Sequence, residues 1–324
     1  MQNDRFLPVV CGSIAPGSMK TSIDLVIVIP VGPGCQTAFV LDTIDSIKRY
    51  VSCSYRIIIS DDSHSSVVSE SLEREHPEVI ILRTTRNYGK GLGLYITLSN
   101  AFSYALEKFQ FCALLRLDTD ALIIGPEPEA KILDFFKRNP SIGLAGRYVV
   151  GLSSEDQFGN IWQNGGRKLI VAIAKMHTKY YLRHPFIYWK IRKVLFTAIN
   201  NGYDLGEFVF GGTYAFSRVG LEKLRDNKLL PMKNVLGADL EEDHFFSMLM
   251  VAVGLGLGDL ASGDNPFACT WKGLPSSPEA ILKANKKIIH STRYWGDMKE
   301  EEIRKFFRGV RQNTSSQADV VSIR

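Results

Sequence analysis

The chain has 324 residues, of which 45% are hydrophobic and 23% are charged, with a formal net charge of +5. This balance is typical of a soluble globular protein with a large core, arranged as one large domain or two modest ones. The mild charge gives no indication of nucleic-acid binding. No apolar stretch reaches the roughly eighteen residues that a membrane-spanning helix requires.

The cysteines and the N-terminus bear on where the protein acts. Five cysteines are an odd number, are scattered and never form a Cys-x-x-Cys pair. This pattern favours reduced thiols over a disulfide framework or a zinc site. The first residues contain no long apolar segment of the kind found in signal peptides. We therefore expect a cytoplasmic protein.

Strands and helices alternate along the chain after a mixed, polar N-terminal arm (residues 1–22). Short β-branched runs predict strands, and apolar residues at helical spacing predict helices. The predicted strands cover 24–30, 55–63, 78–84 and 111–118, and the predicted helices cover 37–51, 65–76 and 92–109. This order predicts an α/β fold with a mostly parallel central sheet flanked by helices. Ligands bind at the carboxyl ends of such strands, so "PVGPG", "SDDS" and "LDTD" should line one cleft.

The second half of the chain is less regular. Patterns there predict a strand with a Gly pair over 207–217, a helix from Val219 and another helix over 240–254. The short strands "LGLGDL" and "IIHST" follow. A C-terminal segment, 301–324, is expected to start as a helix and to end as a polar, flexible tail from Gln312.

A basic and aromatic segment over 158–203 has no regular pattern. No acidic residue occurs between Asp156 and Asp204, whereas lysines, arginines and aromatic residues are interleaved there. One interpretation is a packed helical insertion whose lysines are solvated. The other is a surface for an acidic or lipid-linked acceptor, or for peripheral contact with the anionic inner face of a membrane.

The motif "RLDTDALI" ends an apolar run with two acids two residues apart. At strand spacing, Asp118 and Asp120 share a face and can surround one cation. Mg²⁺ and Mn²⁺ prefer oxygen ligands and leave room for substrate phosphates. The alternative is a solvated turn after a strand.

Two further acid groups occur at predicted element ends. Asp61 and Asp62 in "SDDS" could accept hydrogen bonds from a nucleobase or a ribose, or could form an Asx turn before the next helix. "LEEDHFF" places acids at a helix start, where they complement the helix dipole. A carboxylate of this group that faces the cleft could instead act as a general base.

Two weaker signals complete the set of candidates. His290 in "IIHST" is either an ordinary hydrogen-bonded histidine or a third metal ligand beside the carboxylates. "NYGKGLG" (87–93), which contains Lys90, has the composition of a phosphate-binding loop but lacks the full P-loop pattern, so a glycine-rich helix entry is an alternative.

Taken in order, these motifs resemble the family 2 glycosyltransferases of the GT-A fold. The matching stretches are "VIVIPVG", "IISDDS", "RNYGKGLG", "LLRLDTDALI", "FGGTYAFSR" and "EEDHFFS", and they span roughly residues 23–296. The resemblance implies a single Rossmann-like domain over 23–300 that carries the 158–203 insertion on its acceptor side. It also implies a hexosyltransferase-type enzyme of polysaccharide or glycoconjugate biosynthesis.

The resemblance also implies roles for individual residues. The donor would be a nucleotide-diphospho-sugar, with Pro30, Asp61 and Asp62 near the nucleobase and Lys90 and Asp118 also on the donor. Asp120, Asp118 and His290 would hold Mn²⁺ or Mg²⁺. Asp243 would be the catalytic base, with Glu242 as its motif partner, in an inverting single displacement onto a carbohydrate, lipid-linked or small-molecule acceptor.

Three departures from the family pattern affect these expectations. Ser63 and His64 follow the second-strand acids where the family usually has Gly-Ser, and Glu241 adds an acid that could move the base by one position. A Gln-x-x-Arg-Trp motif is absent, which favours transfer of a single sugar over processive synthesis.

Other classes of function remain open from the sequence. Nucleotidyltransferases that make sugar nucleotides share the strand–helix order and paired acids, but they normally carry a basic glycine-rich signature after the first strand, which "PVGPGCQT" lacks. A non-catalytic sugar-nucleotide-binding protein and a retaining transferase on the same fold are further alternatives.

Overall fold

The computed structural model describes residues 7–9, 20–63, 66–150, 153–163, 185–232, 234–236 and 238–321. Its strands are β1 (Leu7–Val9), β2 (Thr21–Ser22), β3 (Leu25–Val31), β4 (Tyr55–Asp61), β5 (Ile80–Arg83), β6 (Phe109–Gln110), β7 (Ala113–Leu117), β8 (Ala121–Ile123), β9 (Ile142–Val149), β10 (Ser153–Glu155), β11 (Ile161–Gln163), β12 (Phe208–Ser217), β13 (Gly256–Asp259), β14 (Phe267–Cys269), β15 (Ile288–His290), β16 (Tyr294–Trp295) and β17 (Met298–Lys299). Its helices are α1 (Thr37–Tyr50), α2 (Ser66–Glu75), α3 (Leu92–Lys108), α4 (Pro128–Arg138), α5 (Pro185–Asn200), α6 (Arg218–Asp226), α7 (Glu242–Ala252), α8 (Pro278–Lys283) and α9 (Glu300–Val321).

An eight-stranded sheet forms the centre of the fold, in the order β1-β5-β4-β3-β7-β12-β9-β13. The neighbours β5, β4, β3 and β7 are parallel, and so are β9 and β13, whereas β12 is antiparallel to both of its neighbours. The structure thus confirms the predicted α/β fold with a mostly parallel sheet flanked by helices.

The two faces of the sheet are covered by different helices. Along β3, Val26 and Val28 belong to the core beneath α3 and α7, while Ile27 and Ile29 belong to the opposite core with α1 and α2. This alternation follows from the two-residue period of a strand, and burial on both faces explains why β3 is apolar throughout.

The N-terminal arm differs from the expectation in one respect. Residues 7–9 form β1, which pairs antiparallel with the outer edge of β5, with Pro8 opposite Leu82. An edge strand carries unpaired backbone groups, and a short extended segment satisfies them whatever its side chains are. Side-chain patterning therefore did not predict this pairing.

A small three-stranded sheet, in the order β14-β15-β8, lies beside the central sheet. The strand β8 begins directly after the Asp118–Asp120 turn and pairs antiparallel with β15, so that Ala121 is opposite His290. Lys286, just before β15, is buried, and its ammonium donates hydrogen bonds to the carbonyls of Ala261, Gly263 and Asn265 at 2.6–2.8 Å. These bonds fix the loop between β13 and β14.

Two peripheral segments bear on the predictions. The 158–203 insertion includes β11 and the helix α5, and its residues 164–184 lie outside the described residues. The C-terminal helix α9 continues past Gln312 to Val321, where the sequence predicted a polar tail. Within the described ranges, no helix is both long and apolar enough to cross a membrane.

Candidate functional site

The carboxyl ends of β3, β4 and β7 lie side by side at one edge of the central sheet. Register pairs Pro30 with Ser60 and Val31 with Asp61, and β7 runs parallel on the other side of β3. The three polar strand ends of the sequence are therefore neighbours, as expected. Pro30 is half-buried at this edge.

Asp61 and Asp62 are both buried, and each holds a different part of the chain. Asp61 accepts hydrogen bonds from the backbone and the hydroxyl of Ser63 at 2.9 and 2.6 Å and from the Ser69 hydroxyl. This is the Asx-turn geometry that the sequence offered as an alternative. It ties the end of β4 to α2.

Asp62 fastens the loop after β5. Its carboxylate accepts hydrogen bonds from the Thr84 hydroxyl at 2.7 Å and from the backbone N–H groups of Tyr88 and Gly89 at 3.0–3.1 Å. The loop that carries Lys90 is therefore anchored to the end of β4, and the Lys90 side chain is exposed.

The glycines of "NYGKGLG" serve the entry into α3. Gly91 has φ +58°, and a Cβ there would lie 2.7 Å from the Leu240 carbonyl oxygen; a Cβ on Gly93 would collide with the backbone of Tyr88. These close approaches support the helix-entry interpretation of the loop. They also bring the loop against the segment that leads into α7.

Asp118, Asp120 and His290 form the one cluster of potential metal ligands found among the described residues. One ligand atom from each side chain lies within 4.8 Å of the other two. His290 Nε2 is 3.3 Å from Asp120 Oδ1 and 3.9 Å from Asp118 Oδ2. His290 lies 170 positions after Asp120 in the sequence, and the pairing of β15 with β8 brings the two residues together.

His290 is oriented by the backbone of the small sheet. Its Nδ1 lies 2.8 Å from the Thr270 carbonyl oxygen, which makes Nδ1 the protonated nitrogen of the neutral ring. Burial would lower the pKa of His290, but Asp120 and Asp118 outweigh this effect and raise it. Nε2 therefore faces the two carboxylates and presents a lone pair once its proton is lost. A carbonyl that fixes the tautomer in this way is the usual second partner of a metal-binding histidine.

Asp120 is buried and surrounded by positive or donor groups. Burial alone would raise its pKa, but His290 and Arg293 outweigh this effect and hold the pKa well below its usual range. Arg293 Nε lies 2.8 Å from Asp120 Oδ2 without hydrogen-bond alignment, so this oxygen has no hydrogen-bond partner among the described residues. Two carboxylates and one imidazole nitrogen form a donor set that fits a divalent cation.

Arg116 links the metal-ligand cluster to α7. Its guanidinium is buried, and its two terminal nitrogens lie 2.6 Å from Asp118 Oδ1 and 2.6 Å from Glu242 Oε1. Burial raises the pKa of Glu242 and Arg116 opposes that rise. Glu242 is therefore enclosed and paired, which suits a structural partner better than a group that meets substrate.

The Gly pair of β12 separates the cluster from Asp243. The Gly211 N–H donates to Asp243 Oδ2 at 2.9 Å, and the Gly212 carbonyl accepts from the Asp118 N–H at 2.8 Å. Gly212 has φ +88°, and a Cβ there would lie 2.3 Å from the His290 ring. Adjacent Cα atoms are about 3.8 Å apart, so Asp243 and the cluster lie on the two sides of a very short piece of backbone.

Asp243 is the acid of the helix start that faces the Gly pair. It is half-buried, whereas Glu242 is buried and Glu241 is exposed at the N-cap of α7. Each carboxylate oxygen accepts one backbone N–H, from Gly211 and from His244. This leaves acceptor capacity on an oriented carboxylate beside the Gly pair.

Sequence reasoning missed three arginines of this region. Arg116 was a charged residue within an otherwise apolar predicted strand, two positions before Asp118 and thus on the same face. A buried charge demands a partner, so this position was a usable signal. Arg293 and Arg304, which contacts the Thr119 carbonyl at 2.6 Å, lay outside any recognised motif.

Comparison with known proteins gives weak likenesses. No protein-family model matches the sequence, and no curated protein is significantly similar to it. Among solved structures, the chain resembles a mannosyltransferase, PcManGT from Pyrobaculum calidifontis in complex with GDP-Man and Mn²⁺, at 13% identity and a TM-score of 0.42, over 74% of this chain and 55% of that one.

Two further solved structures give likenesses of the same strength. WbbM, a bifunctional glycosyltransferase, matches at 14% identity and a TM-score of 0.46, over 93% of this chain and 51% of that one. S. aureus TarS 1–349 matches at 11% identity and a TM-score of 0.39, over 74% and 58%. The chain thus spans little more than half the length of the solved chains it resembles.

Proposed function

We propose that this protein transfers a glycosyl group from a nucleotide-diphospho-sugar to an acceptor hydroxyl, in a reaction that depends on a divalent metal and inverts the anomeric configuration. The observation that carries the proposal is the position of Asp243 beside the Asp118–Asp120–His290 cluster, with only the Gly211–Gly212 backbone between them. A set of metal ligands close to a carboxylate that can accept a proton suits metal-dependent transfer of a glycosyl group.

The cluster would hold Mn²⁺ or Mg²⁺ through Asp120, Asp118 and His290 Nε2. When bound, such an ion supplies positive charge that neutralises the diphosphate of the donor. Within this set, the Thr270 carbonyl keeps His290 in the tautomer that can bind a metal, and Arg116 occupies one oxygen of Asp118. Asp120 is therefore the principal carboxylate ligand in this proposal.

Asp243 would act as the general base. It accepts the proton of the acceptor hydroxyl while that oxygen forms a bond to the anomeric carbon. The bond from that carbon to the diphosphate oxygen breaks on the opposite side, so the configuration inverts. The N–H groups of Gly211 and His244 orient the carboxylate for this step.

The nucleobase end of the donor would lie at Pro30 and the Asp61–Asp62 turn. The hydrogen bonds of Asp61 and Asp62 support a role in shaping this end of the cleft, since they fix α2 and the loop that carries Lys90. The exposed Lys90 ammonium, on its flexible side chain, would then offer a positive charge to the anionic donor.

Thermal unfolding with a panel of nucleoside diphosphates and their sugars, with and without Mn²⁺, tests the donor and metal. We expect one nucleotide to stabilise the protein, and only when Mn²⁺ is present. Asp120→Asn should abolish the metal dependence, while the exposed Asp264→Asn serves as a charge-matched control. A folded protein that no nucleotide stabilises would contradict the proposal.

The base assignment has its own test. Asp243→Asn should retain metal-dependent donor binding and lose transfer to acceptors, whereas Glu241→Gln should remain active because Glu241 is exposed at the helix N-cap. The reverse result would move the base to Glu241. Release of pyrophosphate from a nucleoside triphosphate and a sugar phosphate would instead identify a sugar-nucleotide-forming nucleotidyltransferase.

A further inference from the structure

The helix α5 (Pro185–Asn200) has two apolar faces. One face contains Tyr188, Ile191, Leu195 and Ala198, which are buried in the core that also contains residues of α7. The opposite face contains Phe186, Trp189 and Phe196, whose exposed fractions are 82%, 60% and 57%. A helix that is already packed on one side has no need of large aromatic residues on the other.

The exposed apolar residues are concentrated in this part of the molecule. Among the described residues, ten large hydrophobic side chains are exposed, and five of them lie between residues 186 and 205: Phe186, Trp189, Phe196, Ile199 and Leu205. Scattered exposed hydrophobic residues are normal, but a group of this kind indicates an interaction surface.

Positive charge surrounds the aromatic residues. At about 100° per residue, Phe186, Trp189 and Phe196 fall within roughly 80° of the helix circumference. Lys193 lies inside this arc, and Lys190 and Arg192 lie on its two flanks. The sequence contains no acidic residue from 157 to 203, so α5 itself carries no negative charge.

We propose that this exposed face of α5, the Phe186–Phe196 face, docks on the surface of an anionic lipid bilayer. Tryptophan and phenylalanine favour the boundary between headgroups and acyl chains, and lysine and arginine favour anionic headgroups. A helix of 16 residues is about 24 Å long, which suits lying in the plane of the interface rather than crossing it. An acidic protein partner with an apolar pocket is the competing occupant, and it predicts no binding to lipid vesicles.

The docking surface is independent of the proposed sugar transfer. It rests on the exposure and charge of α5, and its test measures membrane binding without any activity. Failure of the glycosyltransferase proposal would therefore leave it standing, and the reverse also holds.

Co-sedimentation of the full chain with vesicles tests the proposal. We expect binding to phosphatidylcholine vesicles that contain phosphatidylglycerol, little binding to phosphatidylcholine alone, and a decrease as salt rises. Phe186→Ala with Trp189→Ala should lower the partition coefficient by at least about tenfold, because burial of one such side chain is worth on the order of tenfold or more. Val67→Ala with Val219→Ala, also at exposed positions, should bind like the parent protein.

A charge-matched pair of variants isolates the electrostatic contribution. Lys190→Glu with Lys193→Glu should abolish the preference for anionic vesicles. Lys137→Glu with Lys283→Glu changes the net charge equally at exposed positions elsewhere and should retain that preference. Equal loss in both pairs would show that overall charge, rather than this face, drives binding.

Depth of insertion gives a readout that does not depend on stability. Brominated phospholipids should quench part of the fluorescence of the parent protein, and Trp189→Phe should remove that quenching although three other tryptophans remain. Absence of binding to anionic vesicles, or binding that is unchanged in the Phe186→Ala, Trp189→Ala variant, would overturn the proposal.

Discussion

At the scale of single residues, the site depends on Arg116. This side chain is enclosed in β7, and it joins a carboxylate of the metal-ligand cluster to a carboxylate at the start of α7. A planar guanidinium can contact two acids in fixed directions, which a lysine ammonium at the same position cannot do. Arg116 thereby keeps Asp118 and Glu242 in a fixed relation.

Replacement of Arg116 should be strongly destabilising. Arg116→Met leaves two carboxylates without their cation, and breaking a buried ion pair in this way costs about 3–5 kcal/mol. The double variant Arg116→Met, Glu242→Gln should be less destabilised than the single variant, because one unpaired charge is gone. Denaturant unfolding of the parent protein, the two single variants and the double variant gives the four free energies of a double-mutant cycle. Additive effects would contradict a direct interaction.

Gly212 offers a second residue-scale prediction with a matched control. Gly212 and Gly202 have φ values of +88° and +93°, but a Cβ on Gly212 would strike the His290 ring, whereas a Cβ on Gly202 meets nothing within 4 Å. Both Gly→Ala variants should lose about 1–3 kcal/mol through backbone strain. Only Gly212→Ala should also weaken Mn²⁺ binding, measured by calorimetric titration. Equal Mn²⁺ affinities in the two variants would contradict the close approach of Gly212 to the His290 ring.

At the scale of elements, the helix α9 holds the turn between Asp118 and Asp120. Arg304 is buried and donates to the Thr119 carbonyl at 2.6 Å while pairing with Asp42 of α1 at 3.0 Å. The Thr292 N–H donates to the Asp120 carbonyl, and the single hydroxyl proton of Thr292 is shared between that carbonyl and Glu300. The C-terminal helix thus fixes the backbone of the turn that carries Asp118 and Asp120.

Arg304 should therefore influence the candidate metal site without contacting its three side chains. Arg304→Lys retains a positive charge near Asp42 but cannot reach Asp42, Glu300 and Thr119 at once, so we expect Mn²⁺ affinity to fall by about tenfold, on the scale of an altered second partner of a metal ligand. Lys305→Met, on the exposed side of the same helix, should leave the affinity unchanged. Parallel calorimetric titrations compare the two. An unchanged Mn²⁺ affinity in Arg304→Lys would show that α9 does not influence the candidate metal site.

Element patterns explain how far the sequence could predict this molecule. The β-branched runs of β3 and β4 and the apolar spacing of α1 and α3 predicted the central sheet, because burial dictates those residues directly. The pairings of β1 with β5 and of β8 with β15 were not predictable, since short strands owe their partners to backbone groups and to the surrounding fold. The proximity of His290 to Asp120 depends on the second pairing.

At the scale of the whole molecule, distant parts of the sequence meet at the candidate site. Asp118 and Asp120 follow β7, Gly211 and Gly212 lie in β12, Asp243 lies in the first turn of α7, and His290 ends β15. A ligand that contacts several of these segments must reduce the local opening of all of them together, because each opening would break the same contacts.

Hydrogen exchange can detect this coupling. Addition of Mn²⁺ should slow amide exchange in residues 117–121, 210–213 and 289–293 in parallel, and the helix α5, which contributes no residue to the cluster, should not respond. The Asp120→Asn protein should show none of the three effects. Protection confined to one segment would mean that the segments do not form a common metal site.

The burial of Lys286 has a consequence for chemical reactivity. All three ammonium protons are directed at carbonyl oxygens, and the side chain is only 1% exposed. Burial lowers the pKa of Lys286 to about 8, but an acylating reagent must also reach the amine, so this lysine should be modified far more slowly than the neighbouring, partly exposed Lys287. Its rate of acylation then measures how often the loop between β13 and β14 opens, which makes one buried amine a built-in reporter for that corner of the protein.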